Sequence, residues 1–267
     1  MSKHLAILAG SGDLPQILAA HCPDALFVSF AGVPVTVPQG QAHFAASFEQ
    51  IGALFEALKS AGITDLVFAG AMQRPALNPA KFDAQMLGLA PRLLAAMGQG
   101  DDALLREVAA VFEEQGFALK AAHAVVPALL MQSGEHIGPD PTAQEERDCA
   151  KGLEILAALS PLDVGQAVVL SGGQVLGIET LQGTDSMLAY VADTPPQLRR
   201  GKGVLIKAPK QGQDLRFDVP SIGADTIHAA ARAGLAGVYI RAGSVNVLHR
   251  DAAEQALQET GLFLRAL

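Results

Sequence analysis

The densest chemistry in the sequence lies between Lys202 and Thr226. A short apolar run, Val204 to Ile206, is flanked by Lys202, Lys207, Lys210 and Arg216, and Asp214, Asp218 and Asp225 follow, separated by turn formers. Cations beside a strand can neutralise phosphate oxygens, Arg216 through a bidentate fork, while hard carboxylate oxygens suit Mg²⁺ or Mn²⁺. Strand, basic loop and acidic loop together make the pattern of a phosphate site that also holds a metal. A solvated loop of mixed charge has the same composition. Asp225 begins a helical run, Thr226 to Ala233, so it reads either as a metal ligand or as a helix cap. His228, three residues on, reads as a general base or as an ordinary hydrogen-bonding side chain.

These side chains need a scaffold, and its first part is written at the N-terminus. His4 to Ala9 is an apolar run that ends in Gly10-Ser11-Gly12-Asp13-Leu14-Pro15, and a helix over Gln16 to His21 follows. Buried strand, glycine turn and helix with an early proline open a doubly wound α/β unit. Backbone N–H groups at such a helix start attract phosphate, which makes Gly10, Ser11, Gly12 and Leu14 candidate substrate contacts. The dinucleotide fingerprint fails twice: Pro15 stands where the third glycine belongs, and the second strand, Leu26 to Phe30, ends without an acidic residue for a ribose. NAD is therefore not expected; a mononucleotide stays open, as does a glycine turn with no ligand.

Ile51, Leu54, Phe55, Leu58 and Ala61 share one face of a helix that Gly62 stops. Leu66 to Ala69 reads as the third strand, and its end places Ala69, Gly70, Gln73 and Arg74 on the carboxyl edge that open α/β sheets use for ligands. From Asn78 to Gln115 the chain reads as helical, broken at Pro91 and at Gly98-Gln99-Gly100. Phe117 to Ala122 reads as a further strand, and the first domain is expected over residues 1–131.

Residues 132–160 read as a linker and linker helix. Thr142 and Glu145 have the spacing of a capping box. Gly165 to Ile178 alternates around Ser171-Gly172-Gly173, a β-hairpin signal, so residues 161–267, which hold the cationic and acidic stretch, are expected to form a second, α+β domain. Glu179 closes the hairpin. Gly183-Thr184-Asp185 then opens a helix, where Thr184 and Asp185 read as cap residues or as members of a second acidic loop converging on Asp225. Strands are expected at Val238 to Arg241, Val245 to Leu248 and Leu262 to Arg265, with a helix from Asp251 through Leu257.

Composition bounds the partners. The chain has 267 residues, is half hydrophobic, lacks Trp and carries a formal charge of −8. That charge gives no footprint for nucleic acid, whose binding depends on phosphate neutralisation. Cys22 and Cys149 show no metal or CxxC spacing, which fits a reducing cytoplasmic setting. No apolar run nears the roughly 18 residues of a membrane span, so no transmembrane segment is expected.

Three blocks together, Leu8 to Pro15, Gly183-Thr184-Asp185-Ser186-Met187 and KGVLIKAPKQGQDLRFDVPSIGADTI, resemble the LpxI-type UDP-2,3-diacylglucosamine pyrophosphatases of lipid A biosynthesis, and the likeness runs over essentially the whole chain. The resemblance implies an N-terminal Rossmann-like domain, a C-terminal α/β domain and a ligand cleft between them. It implies a cytoplasmic homodimer, with transient contact with inner-membrane lipid. It further implies an Mg²⁺-dependent hydrolase, with Mn²⁺ or Co²⁺ as alternatives, that converts UDP-2,3-diacylglucosamine to UMP and 2,3-diacylglucosamine 1-phosphate (lipid X), with water attacking the sugar-side phosphorus. Asp225 matches the acidic residue the family needs for catalysis. Gln182 stands before Gly183-Thr184-Asp185 where the family pattern often has an acidic residue, which directs the metal expectation to Glu179 and Asp185 beside Asp225. Lys207 is expected to act in catalysis, and Thr184, Lys210 and Arg216 to bind substrate. The alternatives from the residues themselves are a hydrolase of another UDP-sugar and a non-catalytic nucleotide-lipid binder.

Overall fold

The computed structural model describes residues 2–72 and 75–267. The chain forms two compact units, one running to Pro127 and including Asp214–Phe217, the other comprising Ala128–Gln213 and Asp218–Leu267.

In the first unit, strands β1 (Leu5–Ala9), β2 (Leu26–Phe30), β3 (His43–Ala46), β4 (Asp65–Ala69) and β5 (Ala118–Lys120) form one sheet in the order β3-β2-β1-β4-β5. Every pairing is parallel. A parallel sheet covered on both faces needs continuous apolar strands, and all five residues of β1 are buried. Helices α1 (Leu14–His21), α2 (Ile51–Ser60), α3 (Ala84–Met97) and α4 (Asp101–Glu114) lie between the strands, and the short α5 (Ala122–Val125) follows β5. α2 buries Leu54, Phe55 and Leu58, the face its spacing predicts. Asp83 ties two helices together: one carboxylate oxygen accepts from Met86 N at 2.7 Å and caps α3, and the other accepts from Gly52 N at 2.7 Å.

Two expectations are corrected here. Leu66 to Ala69 belongs to the fourth strand, because His43–Ala46 forms a strand beside β2. That edge strand is short and half exposed, so its sequence lacks the apolar signature of a buried one. Pro91 does not break α3, which continues through it to Met97.

The second unit is built on a six-stranded mixed sheet, order β6-β13-β11-β9-β7-β8, from β6 (His136–Ile137), β7 (Ala167–Ser171), β8 (Gln174–Ile178), β9 (Gly203–Lys207), β11 (Leu235–Ile240) and β13 (Phe263–Ala266). A two-residue pair, β10 (Ser221–Ile222) and β12 (Asn246–Val247), stands apart. α6 (Ala143–Leu159) starts from a complete capping box between Thr142 and Glu145. It covers one face, packing Cys149 and Leu156 on Val168, Leu170, Val204 and Ile206. Leu205, one residue out of phase, points to the opposite core with Leu188 of α7 (Gly183–Ala192), Ile227 and Ala230 of α8 (Ala224–Arg232), and Ala253 and Leu257 of α9 (Arg250–Thr260). Side chains alternate along a strand, so Lys207 shares Leu205's face and emerges beside α7 and α8.

Strand directions fix where the loops gather. β8 and β9 both run antiparallel to β7, and β11 and β13 run parallel to β9. α7, α8 and α9 each carry the chain back to the start of the next parallel strand. Their first turns therefore open at the carboxyl edge of β8, β9 and β11, the edge on which open α/β sheets bind ligands.

Candidate functional site

Lys207, the last residue of β9, is buried, and its Nζ donates to Thr184 Oγ1 at 2.8 Å. Thr184, at the second position of α7, donates in turn to Glu179 Oε1 at 2.6 Å. Glu179 follows β8 directly, and its second oxygen accepts from Gln166 N at 3.0 Å. Burial pulls the Lys207 ammonium below the ordinary lysine pKa, opposed by the negative field of Glu179, Asp185 and Asp218. A cation in low dielectric, in the field of three carboxylates and hydrogen-bonded among the described residues to a hydroxyl, is a strong point for an anionic oxygen to bind.

Asp185 and Asp225 stand in the first turns of α7 and α8, both exposed. The N-cap of α8 is Gly223, so Asp225 lies inside the first turn and is not the cap. A carboxylate there is favoured by the helix dipole. His228 lies one turn further along the same helix and is half-buried. Among the described residues no group of three His, Cys, Asp or Glu stands close enough to hold a metal. Asp225, Asp185 and Glu179 are therefore not one preformed ligand cluster, and both oxygens of Glu179 are already engaged.

Two of the remaining cations, Lys210 and Arg216, have partners of their own. Lys210 pairs with Asp163, and the loop beyond it is knitted by Gln213, which accepts from Lys210 N at 2.8 Å and donates to Asp218 O at 3.0 Å and to the Asp218 carboxylate. Arg216 belongs to the first unit. Its fork is filled by Asp214, with Nη2 at 2.6 Å and Nε at 2.9 and 3.0 Å from the two oxygens, and by Glu113 at 2.5 Å. The Arg216 guanidinium in turn holds the Asp214 carboxyl below the usual range.

In the first unit the loops after β1 and β4 lie against each other. Gly10 N donates to Ala69 O at 2.7 Å, Ser11 N to Ala71 O at 2.8 Å and Ala71 N to Ser11 O at 3.0 Å, while Ser11 Oγ also reaches Ala71 O at 3.0 Å. Glycine is required at both crossings: a Cβ on Gly10 would sit 2.6 Å from Ala71 O, and one on Gly70 would sit 2.3 Å from Ser11 O at a φ of +87°. The N–H groups of Gly10 and Ser11, expected to meet phosphate, are thus spent on the neighbouring loop. Gly12, exposed at a φ of +91°, and Leu14, half-buried at the start of α1, follow at the same edge. Gln73 and Arg74 lie outside the described residues.

The structure brings together Lys207, Thr184 and Glu179, which the sequence singles out, and adds Gln166, whose contribution is a backbone N–H and leaves no mark in residue type. Glu179, expected from the resemblance to meet a metal, accepts from Thr184 Oγ1 and Gln166 N.

The parallel sheet and the mixed sheet, the latter carrying a buried lysine among carboxylates at its carboxyl edge, define a two-unit α/β protein equipped to hold an anionic ligand. The sequence profile of the LpxI N-terminal domain matches residues 4–129, and that of the LpxI C-terminal domain matches residues 132–265. UDP-2,3-diacylglucosamine pyrophosphatase LpxI of Caulobacter vibrioides is 38% identical over 273 residues, spanning 98% of this chain and 96% of the relative. The chain belongs to the LpxI family.

Proposed function

We propose that the protein hydrolyses the diphosphate of UDP-2,3-diacylglucosamine to UMP and 2,3-diacylglucosamine 1-phosphate, the step in lipid A biosynthesis that yields lipid X. The observation that carries this reading is the 38% identity to a pyrophosphatase of that name across 98% of the chain. The second unit supports it with chemistry of the right kind, because a diphosphate ester resists water through the repulsion of its own anionic oxygens. Lys207 draws off that charge from a desolvated position, where it is worth more than in water.

The donor set suits Mg²⁺ in one respect: Asp185 and Asp225 are exposed carboxylates at one sheet edge, and Mg²⁺ is commonly held by one or two carboxylates with substrate phosphates and waters filling the shell. In this reading these two residues would hold the metal. When bound, it supplies charge neutralisation at the diphosphate and a water of lowered pKa. Water adds to the sugar-side phosphorus, the bond from that phosphorus to the bridging oxygen breaks, and UMP leaves with that oxygen. Lys207 compensates the charge developing on the leaving phosphate.

The same reading places the protein in the cytoplasm as a homodimer, touching membrane lipid transiently when it takes up its amphiphilic substrate. Among the described residues no helix is long and apolar enough to cross a membrane. The test is UMP release from UDP-2,3-diacylglucosamine with Mg²⁺ and with EDTA, beside UDP-N-acetylglucosamine. Metal-dependent release from the lipid alone supports the proposal. Equal turnover of the acyl-free sugar nucleotide would make the protein a general UDP-sugar hydrolase, and ligand-induced thermal stabilisation without product would make it a binder.

A further inference from the structure

Lys207, Thr184 and Glu179 form a buried three-member chain, and the chemistry of a hydroxyl fixes its direction. Thr184 has one proton to give. An ammonium can only donate, so at 2.8 Å Lys207 donates to Thr184 Oγ1, and the threonine proton goes to Glu179 Oε1 at 2.6 Å. The N–H of Gln166 at 3.0 Å holds the other Glu179 oxygen and stops the carboxylate from turning. None of the three side chains belongs to a residue more than 9% exposed, so water does not compete for these bonds. Threonine is also stiff about χ1, which makes the acceptor presented to Lys207 a fixed point.

The spacer matters electrostatically. A carboxylate in direct contact would pair with the ammonium and compete with phosphate for it. A hydroxyl between them takes one of the three ammonium donors, and among the described residues no other side chain or carbonyl takes the remaining two, which stay with the full charge for an anion. Glu179 then stabilises the buried cation from a distance, while Asp185 and Asp218 add to the field from the same edge.

The geometry points to Thr184 and Glu179 as positioning residues that aim the Lys207 ammonium at the substrate's diphosphate, with Glu179 anchoring that relay and not ligating metal. The inference rests on the pyrophosphatase reading for the identity of the anion, but the relay has a signature of its own.

Two readouts test it, on variants first shown to be folded by thermal unfolding. In turnover, Thr184→Val lowers kcat roughly 10- to 100-fold, as misplacement of a reacting group does, with KM little changed, and Thr184→Ser restores most of the rate. Glu179→Gln, which keeps one acceptor oxygen for Thr184 but loses the charge and sets its NH₂ against the Gln166 N–H, lowers kcat and leaves the Mg²⁺ concentration for half-maximal rate where it was. Independently of turnover, a ¹⁵N–¹H spectrum of the lysine ammonium groups shows a protected Lys207 signal, assigned by its loss in Lys207→Arg. That signal survives in Thr184→Ser and disappears in Thr184→Val. Wild-type kcat in Thr184→Val, an unchanged Lys207 signal in that variant, or full recovery of Glu179→Gln by excess Mg²⁺ would each overturn the inference. If the wild-type protein releases no UMP, the pyrophosphatase reading fails and the ammonium spectrum decides the relay by itself.

Discussion

Lys207 and Thr184 lie 23 residues apart in sequence, yet Nζ and Oγ1 meet at 2.8 Å because α7 carries the chain from the edge strand β8 across β7 to β9. The contact couples the end of one strand to the first turn of the helix that precedes it. It gives a buried cation a fixed place at the carboxyl edge of the sheet.

Replacing that cation tests its role. Lys207→Met keeps the length and the apolar stem but removes the charge, and kcat is expected to fall by about 10²-fold or more, the scale of losing one electrostatic contact to developing charge. Steady-state UMP release on the folded variant is the check. A variant within about threefold of wild type would remove Lys207 from the site, since that ratio is under about 1 kcal/mol.

Asp148, on α6, is buried and accepts from Gly172 N and Gly173 N at 2.7 Å each, bridging the helix to the β7–β8 turn. Asp148→Ala strands two donors, and removing such a partner costs about 1–3 kcal/mol. Denaturant unfolding is expected to show a loss of about 2 kcal/mol, with turnover per folded molecule unchanged. No loss of stability would mean that the turn holds itself.

Gly70→Ala forces a Cβ to 2.3 Å from Ser11 O in left-handed backbone. Strain of that type costs of order 1–3 kcal/mol, and relieving it must part the loops after β1 and β4. Faster amide exchange at Ser11 and Ala71 is the expected reading. Unchanged protection would show that the crossing relaxes without opening.

Asp214 gives a pH dependence with a definite sign. Its folded pKa is lowered, first by the hydrogen bonds from Arg216, so it contributes stability above the ordinary aspartate value of about 3.9. That stability is lost as pH falls through the lower folded value. Wild type and Asp214→Asn should differ most near neutral pH and converge under acid, as read from denaturant midpoints across pH. A difference that grows toward low pH would contradict the pairing.

Much of this architecture is legible in local pattern. The capping box at Thr142 and Glu145, the hairpin around Gly172-Gly173 and the apolar run before Lys207 each act within a few residues, and each is found in the structure. His43–Ala46 and Ser221–Ile222 are short strands with little apolar alternation, and their pairing is decided by the strands beside them. The site is less legible because its bonds are long-range. Arg216 has the residue type of a phosphate ligand, but Glu113, 103 residues earlier, already occupies it. Glu179 has the type of a metal ligand, and only the packing of α7 beside β8 turns it toward Thr184.

The most direct test of the central claim compares UMP release from UDP-2,3-diacylglucosamine by the wild-type protein and by Asp225→Ala, at saturating Mg²⁺, with binding of the substrate followed in parallel. Asp225 is exposed in the first turn of α8, so its removal leaves the fold intact. The account predicts that Asp225→Ala binds the lipid nucleotide but releases UMP at least about 10²-fold more slowly. Release at the wild-type rate would contradict it and move the chemistry away from this edge of the sheet.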